Sequence, residues 1–396
     1  MEHPAQRPLI GLAPLTRHAF HGGDLTPTAR TLHERILARP DDAAAYMDLA
    51  TIMLLAHQRE QALELQNRAL SLRRRYTLER NPPHPGVRLL ALMAIGDLMD
   101  NTPIEFLLAD APIALELDYV REGDPPPQWE GVDLCFVAVG ESDRNRPLLQ
   151  HLQQQLRDAP VPLINAPDRI LHTSREAAAA ALRGIDGLFM PAATRMTRTE
   201  LEAAPSVEAL LPRGEHPVII RPVASHAGHG LARIDKDAAL TAYLAQQQAE
   251  EFYVAPYIDY ASPDGRYRKY RIALIDGAPF LCHLAISDHW LVHYLNADMT
   301  GDPDKREEEA RAMARFDRDF GARHGKALAA VARRLQLEYL VIDCAECRDG
   351  RLLIFEVDTS AIVHDMDPEA LFPYKRPHMR RVFAAFQQML VRHASA

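Results

Sequence analysis

The chain has 396 residues, 47% hydrophobic and 25% charged, with 45 Lys plus Arg against 54 Asp plus Glu and a formal charge of -9. That balance belongs to a folded chain, and the acidic excess disfavours non-specific nucleic-acid binding, which draws on basic surface. No apolar run approaches the roughly 18 residues that span a bilayer. The N-terminus lacks a basic stretch followed by an apolar core, and neither end carries a lipid-anchor motif. A cytoplasmic protein with no membrane partner is therefore expected.

Four cysteines, Cys135, Cys282, Cys344 and Cys347, are too few and too scattered for a disulfide framework and suit a reducing compartment. The pair Cys344-Ala-Glu-Cys347 has no second pair to complete a zinc site and lies in a strand-like run, so buried thiols are expected. From Thr28 to Leu78 the apolar residues recur at helical spacing without internal glycine, which predicts three helices. Within them, Pro40 to Leu70 resembles a tetratricopeptide repeat, with small residues at Ala50, Ala62 and Ala69 and start signals at Asp41 and Asp42. One repeat is too few for a freestanding solenoid, so a helical cap on the next domain competes with a docking surface for a peptide or protein.

Asn81-Pro-Pro-His-Pro85 cannot continue a helix. Strand-like runs follow at Val87 to Ile95, Ile113 to Val120 and Asp133 to Val139, separated by helical segments near Thr102 to Ala109 and Arg144 to Asp158. That alternation predicts a parallel sheet with covering helices. Gly140 follows a strand, but neither a GxGxxG nor a GxxxxGK[ST] pattern does, which excludes a Rossmann cofactor site and a P-loop. Further on, strands are expected at Val218 to Pro222, Gly230 to Ile234, Phe252 to Ile258, Tyr270 to Asp276, Ala278 to Ile286, Leu337 to Cys344 and Leu352 to Val357. Helices are expected at Ser174 to Leu182, Lys236 to Ala249, Asp304 to Leu335 and Pro377 to Arg392, which gives two α+β lobes with a cleft between them.

Three segments carry chemistry. Tyr339 to Asp358 reads as a hairpin turning at Arg348-Asp349-Gly350, and period-two alternation puts Glu356 and Asp358 on one face with Asp343 opposite. Three carboxylates among apolar neighbours repel unless neutralised, and a hard divalent cation does that. The competing account places Asp343 and Asp358 at solvated strand ends. In His216 to Ile234, a buried strand bearing Arg221 enters Ser225-His226-Ala-Gly228-His229-Gly230, whose glycines let backbone N–H groups approach phosphate oxygens; a tight hairpin looks similar. In Asp264 to Gly277, Arg266, Arg268, Lys269 and Arg271 suit a phosphate or carboxylate clamp or, equally, an exposed charged face.

Taken in this order, these segments resemble the ATP-grasp superfamily, in particular the branch of glutathione synthetase, D-alanine:D-alanine ligase and the ribosomal-protein glutamate ligases, from about Val87 to the C-terminus. The resemblance implies an ATP-grasp fold of two α+β lobes, preceded by a parallel α/β domain and an N-terminal helical domain. The boundaries expected are 1–82 helical, 83–160 α/β, 161–250 small lobe and 251–396 large lobe. It implies Asp343, Glu356 and Asp358 as metal ligands and Arg221 as the strand cation on the nucleotide phosphates. Ser225, His226, Gly228, His229 and Gly230 match the loop that closes over those phosphates, and Arg175 the first phosphate-binding cation. Phe252 to Asp259 matches the strand that meets adenine, with Val254 and Tyr257 in it and Asp259 at the ribose. Arg271 matches the arginine near the terminal phosphate. Lys269 stands where relatives often have Asp, both usual lysines are arginine, and Glu356-Val-Asp358 replaces Glu-x-Asn.

The activity implied is an ADP-forming ligase that uses ATP and Mg2+, with Mn2+ as substitute, and joins a carboxylate to an amine through an acyl phosphate. The substrate would be a small molecule, amino acid or peptide, and the assembly a homodimer. His283, His289, His293 and Asn296 are substrate-side candidates, His289 or His293 as base for the amine. Ordinary polar contacts on an amphipathic strand are the plainer account of these four. The alternatives are a kinase of the same fold acting on a hydroxyl and a non-catalytic nucleotide-binding scaffold.

Overall fold

The computed structural model describes residues 7–223, 225 and 228–395, Leu295 by its backbone alone. It opens with α1 (Leu12–Phe20), α2 (Thr26–Ala38), α3 (Ala43–Leu55) and α4 (Arg59–Leu72). Asp42 caps α3 by accepting the Ala45 N–H at 3.1 Å, the role its side chain is suited to at a helix start. Ala50, Ala62 and Ala69 are buried between α3 and α4, where small side chains allow close approach. The helix α1 lies within the 1–82 region expected to be helical but before the Thr28–Leu78 run in which the individual helices are predicted. Its first N–H groups, Leu12 and Ala13, are met by the buried Glu105 carboxylate at 2.9 and 3.0 Å, a distant partner that local sequence does not reveal.

The chain continues through β1 (Arg75–Thr77), β2 (Val87–Met93), α5 (Ile104–Leu107), β3 (Ile113–Tyr119), β4 (Leu134–Val137), α6 (Arg146–Gln155) and β5 (Leu163–Ile164). These strands form one sheet in the order β1-β3-β2-β4-β5, parallel except for β1. Next come α7 (Pro167–Ile170), α8 (Arg175–Ala181), β6 (Leu188–Phe189), β7 (Thr194–Thr197), α9 (Arg198–Ala203), β8 (Val218–Pro222), β9 (Ala232–Ile234), α10 (Asp237–Gln246) and β10 (Glu251–Pro256). Strands β7-β10-β8-β9 make a small antiparallel sheet with its own core around Phe252, Val254 and Ile220. The remainder is β11 (Tyr267–Ile275), β12 (Ala278–Ser287), α11 (Pro303–Arg315), α12 (Phe320–Leu335), β13 (Tyr339–Glu346), β14 (Leu352–Asp358) and α13 (Lys375–Ala394). Its sheet runs β12-β11-β13-β14-β6, antiparallel except for β6.

Sheet membership crosses the boundaries expected from sequence. Strand β1 precedes residue 82 yet pairs with β3, β5 follows residue 160 yet closes the first sheet, β6 joins the third, and β10 belongs to the small sheet. The helix expected from Asp304 to Leu335 is two helices, broken between Arg315 and Phe320. The helix α13 packs into the core shared by the first and third sheets, where Phe386 meets Phe136 and Tyr339 at 5.9 and 5.1 Å. All four cysteines are buried.

Candidate active site

Four strands of the third sheet set a row of polar side chains on one face. His283 of β12 is opposite Arg271 of β11, Arg271 is opposite Asp343 of β13, and Asp343 is opposite Glu356 of β14. Directly opposed residues share a face, so the four are adjacent across the sheet. The ladder shifts register beside both Arg271 and Asp343, and such bulges re-aim side chains without ending the pairing. Asp358, two residues beyond Glu356, lies on the same face.

Each carboxylate has its own donors. Asp343 accepts Arg271 Nε at 2.8 Å on Oδ1, and Arg271 Nη2 and Lys269 Nζ at 3.0 Å each on Oδ2. Burial raises the Asp343 carboxyl, but Arg271 and Lys269 outweigh it and hold the group well below the usual carboxylate range. Arg271 is held charged in return, its burial more than offset by Asp343. Glu356 Oε2 accepts Arg175 Nη2 at 2.5 Å, and burial that would raise Glu356 is outweighed by Arg175, so its carboxyl lies below the ordinary value. Asp358 Oδ1 accepts the N–H and hydroxyl of Ser360 at 2.7 and 2.8 Å; burial leaves this carboxyl raised.

The carboxylates expected to hold a metal together therefore do not form one ligand set. Among the described residues no three His, Cys, Asp or Glu side chains are placed to hold a metal ion. The physical reason is that cations of the chain reach Asp343 first. Glu356 Oε1 and Asp358 Oδ2 receive no donor among the described residues, and two carboxylate oxygens suit a hard cation that arrives on a phosphate group.

The helix α8 and the small sheet bring the other cations. Arg175, the first residue of α8, also donates to the Phe355 carbonyl at 3.2 Å. Arg221 on β8 donates from Nε to Ser225 Oγ at 3.2 Å and from Nη2 to the Ser225 carbonyl, and among the described residues it forms no ion pair with a carboxylate. Burial, with Arg175 nearby, pulls its guanidinium down to about 10. Glu356 lies within the electrostatic reach of Arg175, Lys269, Arg221 and Arg271 together. Gly230 has φ +66°, and a Cβ there would meet Pro222 Cδ at 2.8 Å. Gly228 is also at positive φ, and a Cβ there would come within 3.6 Å of Leu291 Cδ1 in the β12–α11 connection. His229 is exposed, and His226 lies outside the described residues.

Several expected residues have other employment. Val254 is buried in the small-sheet core with its strand paired on both sides, to Thr194 and to Ile220, so its backbone is taken by the ladder. Tyr257 follows the strand end, with Trp290 at 5.6 Å edge-on and Arg233 over its ring at 4.2 Å. Asp259 pairs with Arg348 at 2.7 Å. Asn296 accepts the His293 N–H at 2.8 Å and so closes its own turn. His289 is exposed. His283 and His293 are both pushed down by burial, His293 with Lys269 adding to it, so each imidazole is neutral near pH 7.

Sequence reading missed a buried group beneath the row. Lys375 Nζ meets Asp367 at 2.9 Å, Glu309 at 3.3 Å and the Tyr294 hydroxyl, and Glu309 also accepts Tyr374 Oη at 2.7 Å. Tyr294 in turn sits 4.6 Å from the His283 ring. Glu309 looks in sequence like one of a run of solvated helix acids, and nothing local marks it as buried.

No family model and no curated protein sequence matches the chain. Solved structures that it is similar to include D-alanine–D-alanine ligase from Bacillus anthracis complexed with ATP, at 14% identity over 78% of this chain and 97% of that one, TM-score 0.46. A RimK domain ATP-grasp protein from Sphaerobacter thermophilus is 15% identical over 76% and 99%, TM-score 0.43. The D-cycloserine synthetase DcsG is 16% identical over 74% and 99%, TM-score 0.43. Identities and scores this low leave the chemistry of the site to be argued from its own residues.

Proposed function

We propose that the chain is an ATP-dependent ligase that joins a carboxylate to an amine. The observation that carries this reading is the set of cations around Glu356: Arg175, Arg221, Lys269 and Arg271, drawn from α8, β8 and β11. Arg221 is largely buried without a carboxylate partner among the described residues, and a buried guanidinium in that state calls for an anion. A polyphosphate supplies several.

In this reading Arg221 and the Ser225–Gly230 loop hold the phosphates, and Arg175 crosses from Glu356 to the same anion. Arg271, oriented by Asp343, and Lys269 face the terminal phosphoryl group and neutralise the charge that spreads over its oxygens during transfer. A divalent cation brought by the nucleotide would be held by Glu356 and Asp358 and would neutralise further charge there. The substrate carboxylate oxygen attacks the γ-phosphorus and ADP leaves; the amine nitrogen then attacks the acyl carbon and phosphate leaves. Neutral His293 or His283 accepts the proton the amine loses. Exclusion of water from the site would protect a hydrolysable acyl phosphate.

The test is phosphate release from ATP across pools of carboxylates, amino acids and short peptides, with mass spectrometry of each active pool. A product lighter by one water than its two substrates is the expected result. A phosphorylated acceptor would replace the ligase with a kinase.

A further inference from the structure

Asp343 is 3% exposed, and both its oxygens are engaged by cations of the chain. One negative charge thus faces two positive ones. A metal ion that used Oδ2 would have to displace an ammonium and a guanidinium N–H inside a buried pocket, where like charges repel strongly. Asp343 is accordingly a ligand of Lys269 and Arg271. Lys269 stands two residues from Arg271, on the same face of β11. Its ammonium touches Asp343 at 3.0 Å, and its charge reaches Glu356, His283 and His293. A cation that touches Asp343 and whose charge also reaches the opposed Glu356 can take the place of a bridging metal ion in a two-metal clamp.

We propose that Lys269 is a built-in cation of the phosphoryl-transfer site, so that the protein works with one nucleotide-borne divalent ion, at Glu356 and Asp358, rather than two. The inference rests on the nucleotide reading of the site given above. An ammonium has three N–H bonds; one meets Asp343 and the others turn toward phosphate oxygens. As a compact point charge on a flexible stem it follows a phosphoryl group that shifts during transfer, which a planar guanidinium does less well.

The experiment counts metal ions rather than turnover. The full chain is saturated with the non-hydrolysable analogue AMP-PNP, whose binding is measured by calorimetry, and free Mn2+ is followed by electron paramagnetic resonance during titration. The expected result is one Mn2+ per bound nucleotide in the wild type and in Lys269→Arg, and two in Lys269→Asp. In Lys269→Gln the phosphate-release rate should fall about 100-fold, the loss typical of one transition-state donor, while AMP-PNP affinity changes far less. Two Mn2+ ions of similar affinity in the wild type would overturn the proposal, and that result needs no variant to fold. An unchanged rate in Lys269→Gln would overturn it as well. Failure of AMP-PNP to bind at all, read separately by calorimetry, would remove the ligase reading and this inference with it.

Discussion

Arg271 holds Asp343 side-on, Nε to Oδ1 at 2.8 Å and Nη2 to Oδ2 at 3.0 Å, directly across the β11–β13 ladder. The two parallel contacts fix the plane of the guanidinium, and its remaining nitrogen, Nη1, donates to the Ile362 carbonyl at 3.2 Å. Arginine at this position is thus locked in orientation from two sides. Replacing Arg271 by lysine keeps the charge and loses the lock, so phosphate release should fall about 100-fold with nucleotide affinity little changed. Steady-state kinetics beside calorimetric nucleotide binding separates the two effects.

Arg221 should matter for binding. Its replacement by Ala removes the buried cation of β8 and should weaken ATP affinity about 10- to 100-fold, the range of one or two charged hydrogen bonds. Thermal stability without nucleotide should hold or rise, because an unpaired buried charge is removed. Affinity by calorimetry and Tm by fluorescence check both halves.

Glu356→Gln keeps the shape of the side chain and removes its charge. Turnover should fall below detection, whereas the fold, read by circular dichroism, should persist. Arg175, which pairs with Glu356 at 2.5 Å, would lose that carboxylate and tighten binding of the bare triphosphate. A rise in ATP affinity in the absence of divalent ions is the specific readout.

The pH dependence of stability should carry the mark of Asp48. Burial raises this carboxyl to about 7, against the pull of the Ile10 and Gly11 N–H groups at 3.0 and 3.1 Å. A folded-state value above the unfolded one of roughly 4 means that Asp48 contributes fully below that lower value. The contribution is then lost as pH rises through about 7. Tm should therefore decline from pH 5 to pH 8, and Asp48→Asn should flatten that slope.

Lys375→Met leaves Glu309, 0% exposed, without its cation. A broken buried pair costs about 3–5 kcal/mol, which urea denaturation would read as a lower midpoint. The double variant Lys375→Met with Glu309→Gln should recover part of that loss, since the fully buried charge of Glu309 is gone and only the partly buried Asp367 is left without its cation.

Local patterns made some of this visible in advance. The β13–β14 hairpin follows from two apolar runs around Arg348-Asp349-Gly350, and its pairing of Asp343 with Glu356 is a consequence of that turn. Arg221 and the glycines after it are legible because a lone cation in an apolar strand and a cluster of small residues are local signals. What escaped reading depends on distant partners. Strand β7 is short and largely exposed, so only its neighbours define it. The chain order of charges shows three carboxylates near one another, yet the partner of Asp343 is decided by β11 pairing across more than seventy residues of sequence. Glu309 and Lys375 meet only because α11 and α13 pack beneath the same sheet, and Val254 is taken by the ladder because β7 covers its other side.

The placement of α13 has a mechanical consequence. Because Phe386 and its neighbours weld the first and third sheets into a common apolar interior, those two bodies cannot part without exposing it to water. The small sheet has a separate interior and joins the rest through the segments after β6 and after β10. Its ties elsewhere include polar ones, Arg195 to Asp143 at 2.6 Å and Tyr253 to Glu176 at 3.2 Å around a cavity of about 420 Å³, and the edge-on contact of Tyr257 with Trp290. Polar rim contacts exchange readily for water, and buried apolar ones do not. The first and third sheets, with the row from His283 to Glu356, thus form one mechanical body, while Arg221 is carried by the small sheet, whose interior is its own.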